Sequence, residues 1–307
     1  MSPREVRDRA ASVRQRLLDR ARAAGEDFNL TLTRYTGARL LYRLSVSPHR
    51  EQFLLKGATL FALWDDSPHR VTRDLDLLGF GDPAVASMEA VFSELCAIEA
   101  DDGLEFRAES VQGQEIRGGQ GYDGVRVRLE ARLGQARIRL QVDVGFGDAV
   151  VPPPEMIEVV ALEGLPPARL RAYPREAVIA EKLHALVVLG IANTRMKDLY
   201  DLWSLAQRFE FDASRLADSI AATFERRRTE VPNELPIGLS PAFAGDAEKI
   251  AQWRAFVRRT GATAAPELAE AIARLRAFLM PAMGRARTRD GSAQRWPAGG
   301  SWSKNGR

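Results

Sequence analysis

The sequence predicts an α+β chain: a lobe built on a mixed or antiparallel sheet with flanking helices, then an all-helical C-terminal lobe. Three observations carry that expectation. Between residues 124 and 144, Val125, Val127, Leu129, Ala131 and Leu133 alternate with polar residues, and after Gly134-Gln135 the alternation resumes at Ile138, Leu140, Val142 and Val144. A period of two on both sides of a short turn is an antiparallel hairpin with one wet face. From about 174 to about 280 the apolar residues instead recur at helical spacing. Pro152-Pro153-Pro154 and Pro166-Pro167 interrupt the chain between these two regimes.

The other elements follow in chain order. Residues 3–23, with Val6, Ala10, Val13 and Leu17, and residues 30–46, with Leu30, Leu40, Leu41 and Leu44, fit two amphipathic helices. Phe53-Leu54-Leu55 reads as a strand running into a tight turn at Lys56-Gly57, and 59–65 can form a helix. Asp74-Leu75-Asp76-Leu77-Leu78 alternates as a second strand, and 83–100 is helical again. Gly118-Gly119-Gln120-Gly121 lacks the strand-then-helix context of a phosphate loop and reads as a flexible connection. Pro174 suits the first turn of the helix that opens the second lobe. The expected segments are N-terminal helices over 1–48, an α/β lobe over 49–160, a helical lobe over 161–284 and a basic, disordered tail over 285–307.

Composition narrows the function classes. With 45% hydrophobic and 28% charged residues in 307, the chain is an ordinary soluble globular mixture of roughly two domains. No apolar run reaches the roughly 18–20 residues of a membrane span, and no secretory h-region follows Met1. Cys96 stands alone, which excludes an internal disulfide and a cysteine zinc site and suits the cytoplasm. Net charge is +3, and the tail holds Arg285, Arg287, Arg289, Arg295, Lys304 and Arg307 against Asp290. The remaining body is near neutral, so any contact with nucleic acid falls to a local patch or to the tail.

Asp74 and Asp76 are the first candidates for chemistry. Two apart on a strand, they share a face. Neighbouring carboxylates repel, and a hard divalent cation relieves that repulsion. Upstream, Lys56-Gly57-Ala58-Thr59 leaves a strand and opens a helix, where backbone N–H groups can approach a phosphate and Thr59 can add a hydroxyl. Asp143, opposite in parity to Val142 and Val144, can complete a metal set or serve as a base. In the second lobe, Glu181-Lys182 sits mid-helix. Asp198 and Asp201 are spaced to share a helix face. Lys182 either snorkels to solvent or puts its charge on a phosphate. Arg195 and Lys197 suit ion pairs and phosphate equally. His49, His69 and His184 show no zinc spacing, and Leu199, Tyr200 and Trp203 read as core.

In this order, Leu55-Lys56-Gly57-Ala58, Arg70 or Arg73 before Asp74-Leu75-Asp76, Asp143, Glu181-Lys182 and Arg195 through Asp201 resemble the AbiEii/AbiGii toxin family of bacterial nucleotidyltransferases, which includes the MenT toxins. The resemblance spans roughly residues 50–205. It implies a nucleotidyltransferase-like first lobe that moves a nucleoside monophosphate from an NTP to an acceptor hydroxyl and releases pyrophosphate. It further implies Mg²⁺ or Mn²⁺ on Asp74, Asp76 and Asp143, a 3′ end of tRNA as acceptor, and a cognate antitoxin protein as partner. Catalytic roles would fall to these acids with Lys182 and Asp198; nucleotide contacts would fall to Lys56, Gly57, Thr59, Arg73, Lys182 and Arg195. Ala58 departs from the family's Gly or Ser, which leaves any hydroxyl contact to Thr59. A small-molecule or protein acceptor, or a nucleotide-binding module without catalysis, are the alternatives.

Overall fold

The computed structural model describes residues 3–64, 74–118, 122–262, 264–289 and 293–304. They fall into two compact units, one of residues 1–147 with 155–172 and one of residues 148–154 with 173–307. The first unit therefore takes in the N-terminal helices and ends at Ala172.

In the first unit, α1 (Pro3–Ala24) buries Ala10, Val13, Leu17 and Ala21 at helical spacing. Helix α2 (Phe28–Val46) starts at Asp27, whose carboxylate accepts from the Leu30 amide at 2.9 Å. Strand β1 (Phe53–Lys56) turns through Gly57 into the short α3 (Ala58–Trp64). Strand β2 (Leu75–Gly79), α4 (Val85–Ala97) and strands β3 (Leu104–Gly118), β4 (Tyr122–Leu133), β5 (Ala136–Phe146), β6 (Glu155–Val159) and β7 (Ala168–Ala172) follow. The seven strands form one mixed sheet in the order β3-β4-β5-β2-β1-β7-β6, in which β2 runs parallel to β5 and β1 parallel to β7.

The expected hairpin is β4–β5, lengthened at both ends and joined on its outer side by β3. Strands β3, β6 and β7 lie outside the sequence expectation. Each of β6 and β7 is five residues long, too short for alternation to stand out. The apolar face of the sheet is set by register. Gly113, Val127, Val142 and Leu75 stand in one row across β3, β4, β5 and β2. Gly37 of α2 packs flush on Leu75, and a Cβ on Gly113 would run into Val85 of α4. Helices α2 and α4 thus cover this face. Residues one step along every strand point to the other face.

A second device anchors α2. Asp102 is 0% exposed and accepts from Arg39 Nε at 2.8 Å and from Arg43 Nη1 at 2.7 Å, both arginines being buried as well. Tyr35 donates to the Asp102 carbonyl at 2.6 Å, and burial raises its phenol pKa.

The second unit holds α5 (Arg175–Leu189), α6 (Met196–Arg208), α7 (Ala213–Arg226), α8 (Pro241–Gly245), α9 (Ala247–Thr260) and α10 (Leu268–Thr288). It also holds a three-stranded sheet of β8 (Phe211–Asp212), β9 (Gln294–Trp296) and β10 (Ser303–Lys304). The expectation of an all-helical lobe is corrected to that extent. The expectation of a disordered tail is corrected over its described residues. Arg285 is buried in α10, and β9 carries the buried Trp296. Trp296 donates to the Ala206 carbonyl at 2.7 Å and packs on Phe278, as does Trp302. Two tryptophans supply enough apolar surface to fold a segment whose composition is otherwise Gly, Ser, Pro and Arg. Tyr200 sits in an aromatic core with Trp203, Trp253 and Phe256, as its helical stripe predicted. Among the described residues no helix is long and apolar enough to cross a membrane.

Candidate active site

On the open face of the large sheet, one row runs through Gln114, Arg126, Asp143, Asp76 and Lys56, each paired with the next across β3, β4, β5, β2 and β1. Asp76 and Asp143 are direct neighbours on parallel strands about 4.8 Å apart, so their side chains leave the sheet on the same face. Asp74 lies two residues before Asp76, at the point where the chain enters β2. The charges of Asp74 and Asp76 both help to hold the Arg126 pKa above its ordinary value, behind the hydrogen bond to Asp143 as the largest cause. Both are therefore close to that guanidinium.

Asp143 is not open on either oxygen. Arg126 Nε donates to its Oδ1 at 2.8 Å and Nη2 to its Oδ2 at 2.8 Å, a bidentate fork. Among the described residues no three acidic, histidine or cysteine side chains cluster closely enough to hold a metal. The expected set of three ligands thus meets a different arrangement, because a guanidinium already compensates one of the three. Arg126 was not among the sequence candidates. The signal for it was present, since it stands across the hairpin from Asp143 once β4 and β5 are paired.

Gly57 explains the Lys-Gly turn. Its φ is +74°, and a Cβ there would stand 2.0 Å from Asp76 Oδ2. Only glycine lets the turn pass this close to the carboxylate while adopting a left-handed backbone. Gly57→Ala is expected to lower stability by about 1–2 kcal/mol from the backbone conformation alone, with a further loss from the collision. Thermal denaturation of the variant, compared with Gly134→Ala, whose positive-φ glycine meets nothing within 4 Å, separates the two contributions. Lys56 shares the row with Asp76. Ala58 is buried, and Thr59 Oγ1 is buried with no hydrogen-bond partner among the described residues. Arg70, Arg73 and His69 lie outside the described residues, as do Gly119, Gln120 and Gly121.

A groove of about 960 Å³ in this unit is lined by Asp74 together with Gln112, Arg128, Glu130, Arg139 and Gln141. Asp27, Asn29 and Thr33 at the start of α2 line it as well.

Lys182 and Asp198 lie in the second unit, and the structure brings these two together. Lys182 Nζ on α5 meets Asp198 Oδ1 at 2.7 Å and Asp201 Oδ2 at 2.8 Å, both on α6. Asp201 is 0% exposed, whereas Lys182 and Asp198 keep a small exposed fraction. The i, i+3 spacing of the aspartates on α6 makes this clamp possible. Asp201 serves Lys182 rather than Arg195 or Lys197. The Arg195 side chain is exposed and forms no ion pair among the described residues.

The neighbouring Glu181 belongs to a separate buried network. Tyr173 OH donates to Glu181 Oε1 at 3.1 Å, and Arg227 stands 3.7 Å from the same oxygen. Arg227 Nη2 donates to Asp148 Oδ1 at 3.0 Å and Nη1 to His184 Nδ1 at 3.3 Å. His184 therefore carries its proton on Nε2 and donates to Thr229 Oγ1 at 3.0 Å. Burial, then the Arg227 charge, pull the His184 pKa down to about 4. The unfolded chain binds this proton near pH 6.5, so between about 6.5 and 4 it holds more protons than the folded one. Stability should fall as pH drops through that window. Urea denaturation at stepped pH should show a shallower fall for His184→Gln.

A family model described as nucleotidyl transferase AbiEii toxin, type IV toxin–antitoxin system, matches residues 39–279, most of the chain. The chain belongs to the AbiEii nucleotidyl transferase toxin family. The match takes in the acid row of the first unit and the Lys182 clamp of the second. Membership makes this AbiEii chain a nucleotidyltransferase-family toxin and implies an NTP substrate and an antitoxin partner. Two Helicobacter pylori crystal structures resemble it, one described as JHP933 and one as a putative nucleotidyltransferase. Each is 15% identical with a TM-score of 0.42, covering 82% of this chain and 90% and 93% of theirs. No curated protein sequence matches the AbiEii chain significantly.

Proposed function

We propose that this AbiEii protein transfers a nucleoside monophosphate from an NTP to the 3′ hydroxyl of an RNA acceptor, with tRNA as the expected RNA. The observation that carries the reading is the placement of Asp74 and Asp76 beside Asp143 on the open sheet face, with Gly57 pressed against Asp76. Hard carboxylate oxygens on a wet face fit a hard cation. Bound Mg²⁺ or Mn²⁺, held by Asp74 and Asp76, would neutralise NTP phosphates and acidify the acceptor hydroxyl.

The chain's own groups do the rest. The acceptor oxygen forms a bond to the α-phosphorus, the bond from that phosphorus to the bridging oxygen breaks, and pyrophosphate leaves with the electron pair. The hydroxyl proton passes to solvent or a carboxylate. Gly57 leaves room for phosphate oxygens near the turn. Thr59 Oγ1, buried without a partner among the described residues, is a donor suited to such an oxygen. Lys56 and Arg73 are further candidate phosphate contacts in the first unit, and Lys182 and Arg195 in the second. Asp198 holds the Lys182 ammonium in a fixed direction. Asp143, which accepts both hydrogen bonds of the Arg126 fork, contributes by fixing Arg126.

The hairpin favours an RNA acceptor over a small molecule. Its polar face bears five arginines, Arg126, Arg128, Arg132, Arg137 and Arg139, against two acids, with Asp143 holding Arg126 and Glu130 holding Arg137 and Arg139, so the face keeps an excess of positive charge. Such a surface suits a phosphodiester backbone.

The test is incubation with each of four labelled NTPs, Mg²⁺ and, in parallel, total RNA, protein and small amines. Label should enter RNA. Asp74→Ala should lower transfer about 100-fold or more, the scale of losing one preorganised electrostatic contact to the transition state. Undiminished labelling of RNA by Asp74→Ala would remove the metal assignment, and label entering only protein or amines would remove the RNA reading.

A further inference from the structure

We infer that the groove in the first unit receives the unpaired 3′-terminal nucleotide of the acceptor, with Gln112 and Gln141 reading its base. The inference rests on the function proposed above. It adds where the acceptor lies and why its end is single-stranded there.

Strand register builds the site. Gln112, Arg128 and Gln141 are paired in turn across β3, β4 and β5, two residues along from Gln114, Arg126 and Asp143 and on the same face. Two residues of strand span about 6.7 Å, so a base held on this row leaves its ribose hydroxyls beside the acid row. Asp74 and Gln141 each precede a paired residue, Leu75 and Val142, and both line the groove. Just before Gln112 the register of β3 on β4 shifts. The Ser110 hydroxyl fills that gap, donating to the Arg107 carbonyl at 2.6 Å and accepting from the Glu130 amide at 2.8 Å. Such a bulge re-aims the side chains beside it. Asn29 and Thr33 add an amide and a hydroxyl from α2.

The lining suits a base more than a phosphate. A volume of about 960 Å³ lies at the upper end of the roughly 300–1,000 Å³ of small-ligand sites, enough for one nucleoside and part of its neighbour. Each amide presents a donor and an acceptor, the pattern that pairs with a base edge. In a duplex that edge is already occupied, so the groove selects an unpaired end. Its charged lining, Arg128 and Arg139 against Asp27, Asp74 and Glu130, holds no positive surplus. Backbone phosphates are therefore left to Arg132 and Arg137 farther along the hairpin.

Strand order favours the acceptor's base over that of the NTP. The row lies on the β5 side of β2, whereas the Gly57 turn, suited to the phosphates, lies on the β1 side. Attacking and leaving oxygens stand roughly in line through phosphorus. With pyrophosphate leaving towards Gly57, the acceptor comes from the groove.

The test measures RNA binding without NTP. The full chain is titrated, by fluorescence anisotropy, into a labelled RNA hairpin with a short unpaired 3′ end, the same hairpin made blunt, and one whose last nucleotide is abasic. The unpaired end should bind about 10-fold more tightly than either control, within the discrimination that one base-edge contact supplies. Gln112→Ala and Gln141→Ala should each remove most of that preference and leave the blunt hairpin's affinity unchanged. Arg132→Ala should weaken all three RNAs alike, as loss of a phosphate contact does. Circular dichroism checks that the variants fold.

Equal affinity for the three hairpins, or glutamine variants that weaken all three alike, overturns the inference. So does a Gln141→Ala chain that binds NTP more weakly yet keeps its preference for the unpaired end, which gives the groove to the incoming base. A preference that depends on both glutamines in a chain that labels no RNA keeps the binding site and removes the transfer reading instead.

Discussion

Lys182→Ala is expected to destabilise the second unit by about 3–5 kcal/mol, the cost of breaking a buried ion pair by removing one partner. The reason is Asp201. It is 0% exposed, and its carboxylate meets the Lys182 ammonium at 2.8 Å. Without Lys182, the buried Asp201 charge loses the counter-ion that stands 2.8 Å away, and the desolvated carboxylate is held less well or protonated. Asp198 lies at the first turn of α6, where the helix dipole favours its charge, and unlike Asp201 it keeps a small exposed fraction. Asp198→Asn should therefore cost much less than Lys182→Ala.

The check is urea denaturation of Lys182→Ala, Asp201→Asn and the double variant. The double variant should be more stable than Lys182→Ala, because the carboxylate that lost its partner is gone. A Lys182→Ala chain within 1 kcal/mol of wild type would show that the clamp carries no weight. This matters for function as well. Lost transfer in Lys182→Ala does not by itself report a phosphate contact. Lys182→Arg, which keeps a cation between the two aspartates, gives a cleaner comparison of kcat with stability.

Asp102→Ala should be at least as damaging to the first unit, again about 3–5 kcal/mol. Asp102 accepts from Arg39 Nε, from both terminal nitrogens of Arg43 and from the Leu104 amide. Its loss leaves two buried guanidinium groups without their counter-ion. Arg39 and Arg43 retain carbonyl partners at Pro166 and Ile98 and lie over the rings of Tyr42 and Phe106. Those contacts satisfy hydrogen bonds and leave the charge. The neighbouring Asp101 supplies the control. It pairs with Arg9 at the surface, where an ion pair contributes about 0–1 kcal/mol. Asp102→Ala and Asp101→Ala should differ by several degrees in melting temperature. Equal shifts would overturn the account of how α2 is anchored.

Most of the candidate site was legible from residue order. Asp-x-Asp on a strand, a Lys-Gly turn before a helix and two aspartates three apart on a helix are local patterns. Each follows from a single periodicity, and the structure keeps Asp76 on a strand, Gly57 in a turn before a helix and the aspartate pair on α6, with Asp74 one residue ahead of its strand. Arg126 was not legible in this way. Nothing local distinguishes it from Arg128 or Arg132, its neighbours on the same wet face. The Asp148–Arg227–His184 network was hidden too, since its members are far apart in sequence and only Glu181 among them belonged to a motif. The folded end of the tail was missed because composition averages out two tryptophans among many small and polar residues.

By itself the sequence determined which side chains share a face. Period two and period 3.6 are properties of one strand or one helix, so Asp74 with Asp76, and Asp198 with Asp201, were settled before any folding was known. Tertiary structure alone decided which charges meet. Strand order brings Arg126 onto Asp143 and Asp143 next to Asp76, and the packing of α5 on α6 closes Lys182 onto a carboxylate sealed from water. Ion pairing depends on distance and burial between separate elements, and neither quantity is written in the spacing of residues along a chain.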